Sequence, residues 1–309
     1  MFAALLTALC FALVGVCANR SARLLGSLRA NVWRLLVAVM LLGFWALVYG
    51  RGWHGPASEW FFLSGLLGFG IGGVAMFHSL PRLGTPLSLL VVECSTAVFA
   101  LVIEWGWLGT TVLASQLGFM ALVLVGVVVG LAPGFPSDIG EKRKISGLGW
   151  ALVSGFGQAL GMVVSRHAWA LTKSADFELD PGTAAWQRLI GGLTVGALVY
   201  ALVKLWPTLL PRSEMPEVEK ARDRGLGTWG PDWPWLWVLL NATFGPVLGI
   251  TARQWALSLA PAGLVQTVVS TAPLMATPLA RLMEGRWPRR RFFVGAALAI
   301  VGLAGLFIG

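Results

Sequence analysis

The sequence predicts an all-helical integral membrane protein, with ten transmembrane helices arranged as two inverted five-helix repeats. Three observations carry this. Of 309 residues, 57% are hydrophobic and 12% charged, half of the roughly 25% charge of a soluble domain. Ten apolar stretches each approach the ~20 residues that cross a hydrocarbon core. The two halves of the chain carry matching marks at matching places. The same poverty of charge argues against a soluble enzyme and against intrinsic disorder.

The ten spans are read as residues 2–19, 32–49, 60–80, 84–104, 110–132, 147–171, 182–205, 233–257, 260–283 and 290–308. The first has no basic leader and no small-x-small cleavage site, so it is read as a retained helix. Helices are preferred over barrel strands because the spans are apolar all round, without alternation. Trp53, Trp60, Trp105, Trp107, Trp206, Trp233, Trp235 and Trp287 stand at span ends, where an indole ring suits the membrane interface. Glycines recur four apart at Gly68/Gly72, Gly126/Gly130, Gly157/Gly161, Gly192/Gly196 and Gly245/Gly249. That spacing lets helix backbones approach closely in lipid and is read as packing within one bundle. Pro246, Pro273 and Pro278 fall inside spans eight and nine and are expected to kink them.

Residues 1–132 then form the first repeat, 133–146 a basic connecting loop, and 147–309 the second repeat, with a polar surface loop at 206–234. Span two opens with Trp33-Arg34-Leu35-Leu36 and span seven with Trp186-Gln187-Arg188-Leu189. Span four ends at Glu104, and span nine at Glu284. Five is an odd number, so the second half enters the membrane inverted, an arrangement that places substrate near the midplane between the halves.

These features resemble the EamA-type members of the drug/metabolite transporter superfamily. The stretches that carry the resemblance are Gly70-Ile71-Gly72-Gly73 through Leu83-Gly84, Ala260-Pro261-Ala262 through Ala272-Pro273-Leu274, Glu284, and the glycine-rich last span. The resemblance implies a central cavity lined by spans one, three, four, six, eight and nine. One departure stands out. The family's Pro-Leu in the middle of the fourth helix has its counterpart at Pro273-Leu274 in span nine, but span four has Glu93-Cys94 instead.

Glu93 is the most informative residue. A carboxylate at bilayer depth is costly and faces a cavity or a partner. It is read either as a proton-coupling and substrate-binding group or as a protonated structural Glu. Arg34 and Arg188, repeat-related, are read as snorkelling to an interface or as a gating or charge pair recognising an anion at the cavity mouth. Arg253 is a candidate partner for Glu93 or for a substrate carboxylate, which suits its forked geometry. Gln158, Asn241, Gln266, Thr267, Ser270 and Thr271 complete a polar set, read as cavity lining or as interhelical hydrogen bonding.

The functional expectation is a secondary transporter that exports a small metabolite by alternating access, with proton coupling through Glu93. The alternatives are a flippase-like carrier of an amphipathic or lipid-linked substrate, and a membrane scaffold that transports nothing. No GxxxxGK[ST] loop, GxSxG elbow or nucleophile–base pair occurs, so no enzyme is expected. Cys10, Cys17 and Cys94 lie in apolar runs, and His54, His78 and His167 have no ligand spacing, so neither metal nor cofactor is expected. The net charge of +9 is assigned to basic loops and lipid headgroups rather than to nucleic acid. A monomer in the cell (inner) membrane is expected, because the internal duplication removes the need for an antiparallel dimer. Arg51 and Lys173 lie in even-numbered loops, and Arg166, Arg188 and Arg253 inside spans. The rest of the 23 Lys and Arg residues lie in odd-numbered loops and their flanks. That bias puts odd loops in the cytoplasm and both termini outside, opposite to the habit of the family it resembles.

Overall fold

The computed structural model describes residues 1–25, 27–132, 140–205, 233–284 and 290–308. In chain order these form α1 (Phe2–Leu25), α2 (Ser27–Val48), α3 (Ser58–Gly65), a π-helical segment π1 (Leu66–Ile71), α4 (Gly72–Leu83), α5 (Thr85–Leu108), α6 (Ala114–Leu131), α7 (Glu141–Ser174) and α8 (Pro181–Leu205). After residues 206–232 come α9 (Pro234–Ala242), a second π segment π2 (Thr243–Gly249), α10 (Ile250–Leu259), α11 (Ala262–Val269), α12 (Ala272–Glu284) and α13 (Arg290–Ile308). Among the described residues, seven helical stretches are long and apolar enough to cross a membrane: Arg29–Val48, Ser58–Leu80, Pro86–Leu108, Ala114–Leu131, Glu141–Ser174, Pro234–Leu259 and Arg290–Ile308. The other three expected spans are helical as α1, α8 and the pair α11–α12.

Two limits differ from those expected, and three spans depart from a regular α-helix. The connecting loop is helical from Glu141, because α7 runs 34 residues and takes up the basic Lys142-Arg143-Lys144. Glu141 in its first turn favours that start, since a carboxylate suits the positive end of the helix dipole. Span two begins at Ser27, so Arg34 sits two turns inside the helix rather than at its opening. Spans three and eight are not continuous α-helices. In π2, Pro246 has no N–H to give the α ladder, and the local bonding relaxes to the wider spacing. In π1, Gly68 and Gly70 weaken the helix without a proline. Span nine breaks at Ser270-Thr271, just before Pro273, whose ring disfavours a continuous α-helix through the preceding turn. The hydroxyls of Ser270 and Thr271 turn back onto the carbonyls of Thr267 and Val268, each at 2.7 Å. The loop 206–234 lies largely outside the described residues.

Packing pairs the spans in a regular way. Helix α7 packs on α5, α4, π1 and α3, while α1 packs on α11–α12, α9, π2 and α10. The pairs α2–α8, α3–α8, α6–α13 and α5–α11 are further contacts. Phe44, Leu47, Val102, Val125 and Ile300 are exposed, whereas Ser64, Ser165, Arg188, Gln254 and Gln266 are buried. Apolar side chains thus face outward as well as inward, as a lipid solvent demands.

Glycines set the closest approaches. A Cβ at Gly126 would stand 2.6 Å from the Ala299 nitrogen and the Gly295 oxygen, and one at Gly295 would collide with the Gly126 and Gly130 backbones. Gly295→Val should therefore cost about 2 kcal/mol through overpacking, read as a lower unfolding midpoint in detergent.

Asp180 caps α8. Its carboxylate accepts the Thr183 backbone N–H at 2.9 Å, the Thr183 hydroxyl at 2.5 Å, and the Trp45 indole N–H of α2 at 2.9 Å. Burial opposes its ionisation, but these bonds and the Gly182 N–H outweigh it and hold the carboxyl below its ordinary value. The folded value lies below the unfolded one, so this stabilisation is present at neutral pH and is lost as pH falls through the folded value. Asp180→Ala should cost about 1 kcal/mol at neutral pH. Unfolding curves taken in progressively stronger acid should show the gap to the parent protein closing.

Candidate functional site

Helix α5 carries Glu93 into the bundle, where it meets α11. The Gln266 amide nitrogen donates to Glu93 Oε2 at 2.6 Å. Gln266 is 1% exposed, and its own oxygen has no hydrogen-bond partner among the described residues. Thr267, one residue on, spends its hydroxyl on Gly263 O at 2.9 Å, as Ser270 does on Thr267 O. Both hydroxyls thus donate within their own helical segment, beside the break.

Arg253 of α10 is 7% exposed, and its guanidinium carbon lies 4.8 Å from the centroid of the Phe11 ring of α1. It makes no hydrogen bond and no ion pair within 4 Å among the described residues. Its charge nevertheless acts on Glu93 and on Arg188. Three ionisable side chains from α5, α8 and α10 therefore share one electrostatic neighbourhood.

Arg188 is no interfacial residue. It is 3% exposed and donates to Gly161 O at 2.9 Å, Ser165 Oγ at 2.7 Å and Ser64 Oγ at 3.2 Å. It does not snorkel, since its guanidinium is spent on neighbouring helices inside the bundle. The cause is glycine: Gly68 leaves room for the guanidinium, where a Cβ would stand 2.8 Å from Nη2, and Gly65 lets α8 reach α3. The network continues as Ser165 donates to Ser64 at 2.9 Å, Gln254 to Ser165 at 3.2 Å, and Trp169 to Gln254 at 3.1 Å.

Arg34 and Asn241 are brought together elsewhere. Arg34 donates to Asn31 at 2.9 Å, Asn241 donates to Ser21 at 3.2 Å, and both side chains flank Gly245. Gln158 lies against Gly72 on the α4–α7 contact. The sequence-predicted set thus divides: Glu93, Gln266, Arg253 and Arg188 form one neighbourhood, Arg34 and Asn241 another, and Gln158 stands apart from both.

A buried ion pair was missed. Glu104 is 2% exposed and lies 3.5 Å from Arg166, which also donates to Leu257 O at 2.7 Å. The other Glu104 oxygen accepts the Ala262 N–H at the start of α11, at 2.5 Å. This carboxylate ties α5 to α7 and to the α10–α11 turn. Two opposite charges placed inside or at the end of apolar spans were the signal that could have paired them.

A cavity of about 630 Å³ opens between the end of α2, the α7–α8 turn and the end of α10, lined among others by Arg51, Lys173, Glu178 and Asp180. Two cations and two carboxylates balance its charge. None of the sequence-predicted site residues lines it, but Trp169 does, and Trp169 joins it to the Arg188 network. Among the described residues no cluster of His, Cys, Asp or Glu could hold a metal ion.

The family model described as the EamA-like transporter family matches residues 1–131 and 145–308. The chain belongs to this family. It is a multi-pass membrane protein and a transporter of the drug/metabolite type, from a family of carriers rather than enzymes. The fold is similar to that of a solved structure, "Crystal structure of protein". That chain is 15% identical, with a TM-score of 0.73 over 99% of this chain and 96% of the other. No curated protein matches the sequence. In this EamA protein the Glu104 contacts hold the α10–α11 turn in place. Glu104→Ala should cost about 2 kcal/mol, the worth of a charge-assisted hydrogen bond, seen in thermal unfolding of the purified protein.

Proposed function

We propose that the protein is a secondary transporter that moves a small metabolite by alternating access, in the direction of export, with a proton carried through Glu93. Its ten spans would act as two inverted five-span halves rocking about a midplane site. The helix partners support this reading. Replacing each span by the one five positions later turns the contacts of α7 with spans three and four into those of α1 with spans eight and nine, and leaves the α2–α8 and α6–α13 pairs unchanged. The two separate matches to the family model agree with it.

The observation that carries the proposal is the bond between Glu93 and Gln266. It places a carboxylate where span four of one half meets span nine of the other. Span nine is broken there, and discontinuous helices at a repeat interface are where such carriers form their sites. Thr267 and Ser270, on the same segment as Gln266 or at its end, are assigned to this site; Gln158, Asn241 and Arg34, which stand apart from Glu93 here, are assigned to the path on either side of it, and Arg188, bonded to Ser64, to the contact between the halves.

Proteoliposomes enclosing a pH dye test this. Amino acids, nucleosides, sugars, carboxylates and organic cations are presented in turn. One class should move protons, and Glu93→Gln, at equal protein content, should reduce that movement to background. Undiminished proton flux in the variant would remove Glu93 from the mechanism.

A further inference from the structure

Arg253 is a buried cation with no acceptor among the described residues. A guanidinium does not lose its proton in a protein, and a buried charge left unpaired is strongly unfavourable. The Phe11 ring, 4.8 Å away, supplies a cation–π contact that replaces only part of the lost hydration. It also fixes the orientation of the fork. Phe11 is itself wedged into the space left by Gly249, where a Cβ would stand 2.5 Å from the ring.

The surrounding charges do not balance. Arg188 adds a second guanidinium close enough to act on the first, and its partners are three neutral oxygens. Its Nε, like that of Arg253, is sealed from solvent and unbonded among the described residues. Against these two cations stands one carboxylate, Glu93, which already takes the Gln266 amide and makes no direct contact with Arg253. What the neighbourhood lacks is a second anion, with paired oxygens that match a fork. It also lacks a donor for the unpartnered Gln266 oxygen.

We propose that Arg253 anchors a binding site for a small oxyanion, a carboxylate or phosphate that also carries an O–H or N–H donor. The Arg188 charge reinforces the site, and the donor is received by Gln266. This rests on the transport reading above and names the substrate class of that same site.

The test is thermal unfolding of the full-length protein, in detergent, with lactate, malate, inorganic phosphate or glucose 6-phosphate, against glucose and tetraethylammonium. A ligand that binds the native state raises the midpoint. Oxyanions should raise it, and glucose and tetraethylammonium should not. Arg253→Gln should weaken the effect at least tenfold. Arg253→Lys, which keeps the charge but loses the fork, should fall between the two. Arg290→Gln, at the exposed start of α13, should match the parent. A parallel arm in phosphatidylcholine nanodiscs, with and without phosphatidic acid, separates the sources. Stabilisation by soluble anions marks a metabolite, and Arg253-dependent stabilisation by phosphatidic acid alone marks a lipid headgroup. The comparison of solute classes on the parent protein needs no variant to fold. Stabilisation by glucose or tetraethylammonium, equal in Arg253→Gln, overturns the oxyanion site and leaves transport standing. If no solute or lipid of any class stabilises the protein or crosses proteoliposomes, both readings fall.

Discussion

Close backbone approach among α3, α7 and α8 is the constraint on which the interior depends. Gly65 and Gly191 admit the facing backbones of α8 and α3, where any side chain would collide, and a Cβ at Gly161 would stand 2.6 Å from the Ser64 carbonyl. Because the backbones touch, short side chains suffice to reach across. Ser64 and Ser165 meet at 2.9 Å, and Arg188 finds all its acceptors on neighbouring helices. In lipid no hydrophobic force draws helices together, so close packing and interhelical hydrogen bonds must do that work. Here the first makes the second possible.

The same economy explains why the interior holds charge at all. Glu104 is neutralised by Arg166 and by the start of α11, and Arg188 is surrounded by oxygens. Each is an answer to burial made from residues already present. Arg253 is met by an aromatic ring and, at longer range, by the charge of Glu93. Arg188 keeps an unbonded Nε, but Arg253 has neither a hydrogen bond nor an ion pair among the described residues, which sets it apart.

The spans themselves were legible because burial in hydrocarbon requires some twenty apolar residues in a row, a signal written locally. The prolines of spans eight and nine marked where the helices depart from regularity. They did not say how, since Pro246 gave a π segment, Pro273 a break, and Pro278 lies within α12. Segment π1 has no proline and was not legible. Glu93 and Arg253 were legible as costly residues inside apolar spans, but the Gln266 contact spans 173 positions. The Glu104 contact with Ala262 spans 158. Partners so distant in sequence are set by which helix faces which. Arg188 was misplaced because its neighbours Ser64, Ser165 and Gly161 are unremarkable residues, whose meaning lies only in the space they leave.

The π segment in span three also governs register. A π turn holds an extra residue relative to the α ladder, and each residue of an α-helix turns the chain by about 100°. Segment π1 therefore sets the rotation of α4 against α3. With the bulge in place, Gly72 faces α7, where its carbonyl accepts the Ser154 hydroxyl at 2.7 Å and its bare Cα admits Gln158. Loss of one residue between 66 and 71 would restore a regular helix, yet turn the whole of α4 away from that contact and present a different face to the bundle. Span three is thus intolerant of a change in length in this segment, a constraint separate from the room that Gly68 leaves for Arg188.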